Sequence, residues 1–309
     1  ADGRGRACPE NYGGSDVYGV LQDIVKFPKG VHKTIISRIK MLAKMKLNVN
    51  DVPQDGNFNV SMENSALNIR VSILPTAYGE SIVMRVLSEN AQGVQLDQIG
   101  FNQYYLEKIQ EQIVKPTGMI LTTGPTGSGK TTTLYSFIQR INQPGVKIIT
   151  LENPIEYRVD GVTQTQVDQN DELTFASGLK SVVRQDPDII MVGEIRDHET
   201  AETAIQAALT GHMVFSTLHT NNAAGAIPRL IHLGVNPALI APSINAVIGQ
   251  RLVRRLCEHC KEEYVPAQET IEKIKTAVAN IPRNNTMRFP EKIEKLYRSK
   301  GCARCNFLG

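Results

Sequence analysis

The spacing of apolar residues changes along this chain, and each spacing predicts a different architecture. Ile35, Ile39 and Leu42 recur at helical intervals, with Lys33, Lys40 and Lys44 set to point outward, which predicts an amphipathic helix over 33–46. A turn is expected at Pro53-Gln54-Asp55-Gly56. Phe58/Val60/Met62, Leu67/Ile69/Val71/Ile73 and Ile82/Met84/Val86 then alternate with period two, the pattern of half-buried antiparallel strands. Together these predict a small α+β domain over 1–88. Residues 1–16 are rich in Gly, Arg and polar residues without periodicity and are expected to be irregular. The polar stretch 89–98 reads as a linker.

From Ile99 onward the pattern differs. Continuous apolar runs at 119–123, 147–151, 189–193 and 213–217 alternate with longer amphipathic stretches. Continuous runs suit strands buried on both faces, and their alternation with helices predicts an α/β domain with a parallel sheet over 99–256. In such sheets ligands bind beyond the carboxyl ends of the strands, here just after Thr123, Leu151, Val192 and Ser216. Residues 257–309 form a third region, with helices expected at Gln268 to Val278 and Glu291 to Tyr297.

The first strand exit carries Gly124-Pro125-Thr126-Gly127-Ser128-Gly129-Lys130-Thr131, which fits G-x-x-x-x-G-K-[ST]. Its glycines let the backbone wrap a phosphate with N–H groups turned inward. Lys130 is placed to reach the β- and γ-phosphates of a nucleoside triphosphate, and the Thr131 hydroxyl to hold Mg²⁺. The helix expected from Thr132 presents its N-terminus to the anion. The other exits carry Glu152-Asn153-Pro154-Ile155-Glu156, Gly193-Glu194-Ile195-Arg196-Asp197 and Ser216-Thr217-Leu218-His219-Thr220. Taken singly, an acid after a strand more often complements a helix dipole, and a lone His is more often structural. At successive exits behind a phosphate loop they point to hydrolysis, with carboxylates to hold Mg²⁺ and to orient or deprotonate water.

Composition narrows the class. At 309 residues, 41% apolar and 21% charged, the chain has material for about two soluble cores. A net charge of +3 argues for neither nucleic acid nor membrane as a partner. No run of eighteen apolar residues occurs, and the first residues lack the apolar core of a signal peptide, so a cytosolic location is the default expectation. Cys257, Cys260, Cys302 and Cys305 form a C-x₂-C…C-x₂-C set suited to one structural Zn²⁺, with His259 inside a knuckle and Cys8 left without a role.

Four boxes make a resemblance specific: Gly124–Thr131, Glu152–Tyr157, Arg184–Asp197, and Thr210-Gly211-His212 through Asn221. In this order they resemble the ATPases of type II secretion systems and type IV pilus machines, from about residue 17 to the end. The resemblance implies a RecA-like parallel-sheet domain behind a small PAS-like domain, with a zinc-binding insert, assembled as a homohexamer. It implies ATP hydrolysis at the cytoplasmic face of the inner membrane, coupled to pilin or pseudopilin fibre assembly. A platform protein of that membrane and a cytoplasmic docking protein would be the partners, leaving membrane contact peripheral and nucleic acid uninvolved. By the same resemblance Glu194 is the Walker B acid, and Glu152 and Glu156 stand near Mg²⁺ and water. His219 stands near the γ-phosphate, and Arg70 and Arg85 reach from the small domain toward the nucleotide. Nucleotide contacts run from Gly124 through Thr132. The tetracysteine insert is similar to assembly and secretion ATPases rather than retraction ATPases.

The match departs from the family at the N-terminus, where Tyr18 replaces an acid before Gly19-Val20-Leu21 and an Arg is missing. The opening strand is therefore expected to be absent or altered. The chain stops at Phe307-Leu308-Gly309, which reads as a fragment or truncation. Two other classes compete: a nucleic-acid translocase, which would need basic grooves and aromatic platforms, and a passive nucleotide scaffold. Aromatic content of 6% without Trp disfavours the first, and the three acids disfavour the second.

Overall fold

The computed structural model describes residues 4–8, 12–17, 20–62, 65–77, 79–88, 94–168, 173–279, 293–305 and 307. By its internal contacts the chain divides into two units, one of residues 1–101 and 109–250 and one of residues 102–108 and 251–309.

The first unit begins with an antiparallel sheet of six strands in the order β3-β2-β1-β6-β5-β4. These are β1 (Arg4–Cys8), β2 (Tyr12–Val17), β3 (Val20–Lys26), β4 (Gln54–Met62), β5 (Ser65–Thr76) and β6 (Gly79–Ser88). The expectation of an irregular 1–16 and a missing opening strand is corrected here. Arg4–Cys8 and Tyr12–Val17 are strands, held by backbone pairing of β1 with both β6 and β2. A ladder of main-chain hydrogen bonds needs no alternation of side chains, so the sequence carried no sign of it. The turn expected at 53–56 is largely strand, since β4 starts at Gln54.

Helix α1 (His32–Leu42) packs on this sheet through Ile36, Ile39 and Ala43, against Val71, Ile73 and Ile82. Its buried face is turned from the one expected. Leu42 is exposed, whereas Lys40 is only 1% exposed. The Lys40 ammonium donates to Val49 O and Asn50 Oδ1, each at 2.7 Å, and Glu80 Oε1 lies 2.6 Å away. That last contact is an ion pair rather than a directed hydrogen bond, because Oε1 lies off the bonding direction. Burial of a lysine is tolerated because its charge is paired and its donors are used.

After α2 (Gln103–Ile113) comes a wholly parallel sheet in the order β12-β7-β11-β10-β8-β9. Its strands are β7 (Gly118–Thr123), β8 (Ile148–Glu152), β9 (Thr163–Gln166), β10 (Ile189–Val192), β11 (Met213–Leu218) and β12 (Ile244–Gly249). β7, β8, β10 and β11 are buried along their whole length, as continuous apolar runs require. The two edge strands were not foreseen; β9 reads Thr-Gln-Thr-Gln and carries no apolar signal. Helices α3 (Lys130–Ile141), α4 (Phe175–Val183), α5 (His198–Leu209), α6 (Ala226–His232) and α7 (Pro237–Ser243) intervene. A core that includes Leu121, Leu151, Leu179, Val192, Ile205 and Leu218 joins strands to helices.

In the second unit β13 (Lys261–Tyr264) pairs antiparallel with β14 (Leu296–Ser299), and α8 (Gln268–Ala279) lies between them in sequence. The helix expected over 291–297 is corrected: residues 291 and 292 lie outside the described residues, and Leu296 and Tyr297 are strand. Cross-strand pairs of Lys300 and Arg298 with Glu262, and of Lys295 with Glu263, favour the extended form.

Candidate functional site

The phosphate loop joins β7 to α3. Gly124 and Gly129 adopt φ of +148° and +84°, backbone shapes that glycine takes without steric cost. At Gly124 space is decisive as well, since a Cβ there would stand 2.5 Å from Gln250 O and 2.6 Å from Ser128 Oγ. Helix α3 starts on Gly129, which offers no side-chain cap, and its first turn holds no acid. Its N-terminal N–H groups therefore face the loop uncompensated, a ready anion seat. Lys130 is buried and donates to Gly124 O and Pro125 O, each at 3.0 Å. Burial draws its pKa below the usual lysine value, while the negative charge of Glu194 works the other way. Pro125, Thr126 and Gly127 are exposed, as are Thr131 and Thr132 on the first turn of α3, while Ser128 is buried. A cleft of about 200 Å³ opens beside the loop, lined by Gly124, Pro125, His219, Thr220 and Asn221.

Glu194 and His219 reach this region from neighbouring strands. β10 and β11 pair in register with Val192 opposite Ser216. Beyond the end of β10, Gly193 O accepts from Thr217 Oγ1 of β11 at 2.8 Å and Ile195 N–H donates to Thr217 O at 3.1 Å, tying the two exits together. The Glu194 side chain is 13% exposed, with Arg196 Nε at 2.5 Å and His219 Nε2 at 3.3 Å from its Oε2. Lys130, Glu194, His219 and the Gly124–Pro125 backbone thus converge. Asp197, the last residue of the same box, serves α5 instead: its carboxylate accepts from Thr200 N–H at 2.8 Å as an N-cap.

The two acids of the second exit are placed differently. Glu152 is 3% exposed, and its carboxylate accepts from Thr150 Oγ1 at 2.6 Å, Gln164 Nε2 at 3.1 Å and the Tyr135 hydroxyl. Burial first, and the Glu152 charge second, hold the Tyr135 hydroxyl far above the usual tyrosine range, so it remains a donor. Glu156 is one-third exposed, and its Oε2 accepts from Arg70 at 3.2 Å. Arg70 therefore meets the acidic box, and Arg85 lies directly opposite it across the β5–β6 ladder. Sequence reasoning passed over Tyr135, Gln164 and Arg196. Arg196 stood inside a quoted box, but nothing in the pattern marked the other two.

In the second unit the four cysteine sulfurs lie within 4.8 Å of one another. Cys260 Sγ and Cys302 Sγ each stand 3.7 Å from Cys305 Sγ. Tetrahedral thiolates on zinc, with Zn–S of about 2.3 Å, stand about 3.8 Å apart, so the set fits that ion. Each pair sits on a tight turn, with Lys261 N–H donating to Cys257 O and Phe307 N–H to Cys302 O, both at 2.9 Å. Burial, then hydrogen bonding to Cys305, pushes the Cys260 thiol up to about 12. A cation shared by the four is what converts such thiols to thiolates. His259 is no member of the cluster and lies beside Arg304.

The profile of the family described as Type II/IV secretion system protein matches residues 16–309. Type II secretion system protein E of Klebsiella pneumoniae is 43% identical over 293 residues, covering 95% of this chain and 56% of that protein. The type II secretion system ATPase E of Vibrio cholerae matches with the same identity and the same coverage. The chain therefore spans a little over half the length of these relatives. Among solved structures, the pilus retraction motor PilT with bound ADP is similar with a TM-score of 0.62 and 27% identity, over 82% of this chain and 75% of that one. With the ordered boxes, the parallel sheet and nearly the whole chain matched, this protein belongs to the type II/IV secretion system protein family.

Proposed function

We propose that this chain is the ATP-hydrolysing part of a hexameric motor that drives pilin or pseudopilin fibre assembly in type II secretion or type IV pilus biogenesis. The observation that carries the reading is the meeting of Lys130 with Glu194 and His219 beside the Gly124–Pro125 cleft. Relatives named as a secretion ATPase and as a pilus motor with bound ADP support it.

In this reading the loop N–H groups from Gly124 to Lys130 receive the β-phosphate of ATP. Lys130 exchanges Gly124 O and Pro125 O for phosphate oxygens, and Thr131 and Thr132 complete the seat. Thr131 would hold Mg²⁺, which supplies charge neutralisation across the β- and γ-phosphates. Glu194 leaves Arg196 and His219 to polarise the attacking water and take its proton, and His219 then faces the γ-phosphate. Arg70 and Arg85, on the small domain, carry positive charge toward the acidic box, so occupancy of the site is coupled to that domain. Cys257, Cys260, Cys302 and Cys305 would hold one structural Zn²⁺, with no part in the chemistry.

The working division is a small domain to residue 88, a catalytic core over 99–256 and a zinc subdomain from 257. Self-association into a ring, a platform protein and a docking protein complete the proposed machine, at the cytoplasmic face of the inner membrane. Among the described residues no helix is long and apolar enough to cross a membrane. The test is ATP hydrolysis measured against oligomer size. Turnover that rises with the ring fraction and vanishes in Lys130→Ala supports the reading, and turnover indifferent to both removes it.

A further inference from the structure

Three glutamates stand at the strand exits, and resemblance assigned two of them, Glu152 and Glu156, to the neighbourhood of Mg²⁺. The two differ in their surroundings, and Glu152 is the one whose carboxylate is committed within the fold. Glu152 is 3% exposed, and both of its oxygens already accept hydrogen bonds. Oε1 takes Thr150 Oγ1 at 2.6 Å and Gln164 Nε2 at 3.1 Å, and Oε2 takes the hydroxyl of Tyr135, which is itself fully buried. A carboxylate offers about four acceptor positions, and three are filled from within the fold. To turn toward Mg²⁺ the carboxylate would have to break away from two fully buried hydroxyls, those of Thr150 and Tyr135, at the cost of their hydrogen bonds.

The donors share a second property: they grip the acidic loop that follows β8. Gln164 Nε2 also reaches Tyr157 O at 3.1 Å, while its Oε1 accepts from Val159 N–H at 2.8 Å. The Tyr157 ring stacks on Tyr135, centroids 4.4 Å apart and planes 28° from parallel. Tyr135 belongs to α3, the helix that begins at the phosphate loop. A continuous contact path thus runs from α3 through Tyr135 to Tyr157, then to its neighbour Glu156, and on to Arg70 at 3.2 Å.

We propose that Glu152 is a positioning residue rather than a magnesium ligand: with Tyr135 and Gln164 it fastens the acidic loop to the phosphate-loop helix, so that Glu156 meets Arg70. This rests on the reading of the site as an ATPase. Glu156 is then the acid of this box that faces the nucleotide's surroundings, and movement of α3 on nucleotide binding is passed to the Arg70 contact.

The experiment compares Glu152→Gln, Tyr135→Phe and their double variant in the full chain. Without nucleotide or Mg²⁺, both single variants are expected to lower the melting temperature, and the double variant no further than the worse single. If Glu152 leaves the metal-free melt untouched while Glu152→Gln alone raises the Mg²⁺ concentration for half-maximal ATP binding tenfold or more, the proposal is overturned. In hydrolysis assays Tyr135→Phe is expected to lower kcat roughly ten- to a hundredfold with KM for ATP unchanged, the signature of misplacement. In an Arg70→Ala background the same substitution is expected to cost nothing more. Equal losses in both backgrounds mean a merely structural tyrosine and overturn the path to Arg70. A wild-type chain that hydrolyses no ATP in any oligomer defeats the ATPase reading alone, because the metal-free melts still decide whether Glu152 and Tyr135 act as one unit.

Discussion

Replacing Lys40 by Met tests how the small domain is held together. The two side chains are similar in length and bulk, so the substitution removes a charge with little cavity. Lys40 is 1% exposed and its ammonium meets Val49 O and Asn50 Oδ1 at 2.7 Å and Glu80 Oε1 at 2.6 Å. The losses are unequal. Asn50 is exposed and recovers water, and Val49 O keeps a hydrogen bond from Gln54 Nε2 at 2.8 Å. Glu80, 11% exposed, is left as a nearly buried carboxylate without its counter-ion. Removing one member of a buried pair costs about 3–5 kcal/mol, and partial rescue of two of the three oxygens places this case near about 3 kcal/mol. Removing both charges, in Lys40→Met with Glu80→Leu, is expected to return stability to within about 1 kcal/mol of the wild type. Amide hydrogen exchange of α1, β5 and β6 reads the opening free energy of this region without requiring the whole chain to unfold in one step. A single variant as protected as the wild type, or a double variant worse than the single, would refute the argument.

Other expected outcomes bear on the site. Lys130→Ala should abolish the rise in melting temperature that ATP confers, because the proposed site would lose its cation for the terminal phosphates; an unchanged shift in a thermal melt would place the ligand elsewhere. Glu194→Gln should bind ATP with near-normal affinity yet turn it over at least about a hundredfold more slowly, as read by single-turnover hydrolysis; ordinary turnover would remove Glu194 from the role of base. Metal analysis should find one zinc per chain, and Cys302→Ser, which leaves three thiols, should unfold the 257–309 region under mild chelation while nucleotide binding persists. Protein prepared without chelators yet free of zinc would defeat that expectation.

Most of the parallel sheet is legible in the sequence, for a physical reason. Strands buried on both faces must be apolar throughout, and Met119 to Leu121 or Ile189 to Val192 announce themselves. The elements that escaped notice are those held by other forces. β9 is polar and gains its place through a main-chain ladder with β8, and β1 and β2 are short strands recruited by β6 and by each other. At α1 the periodicity was right and its phase was wrong. Ile35 and Leu42 suggested one face, but the helix turned to bury Ile36 and Ala43, where Glu80 and residues 49–50 offer Lys40 a complete set of partners. A lysine reads as solvated unless its counter-charge is known, and that counter-charge lies forty residues away.

The site teaches the same lesson through three residues of one kind. Glu152, Glu156 and Glu194 all stand at or just past the ends of buried strands, and their spacing alone gives no ground for treating them differently. Their surroundings divide the work. Glu194 keeps a cation on one side and His219 on the other, and its charge is felt by Lys130, so it can change partners when a phosphate arrives. Glu156 sits at the edge of solvent and pairs with Arg70, which suits a contact that forms and breaks as the small domain moves. Glu152 is sealed among three donors and has no spare reach. Pattern recognition can bring carboxylates to a strand end, but which of them does chemistry depends on how many hydrogen bonds each must break to do it. By that measure we assign the chemistry to Glu194, the communication to Glu156, and to Glu152 the holding of the loop.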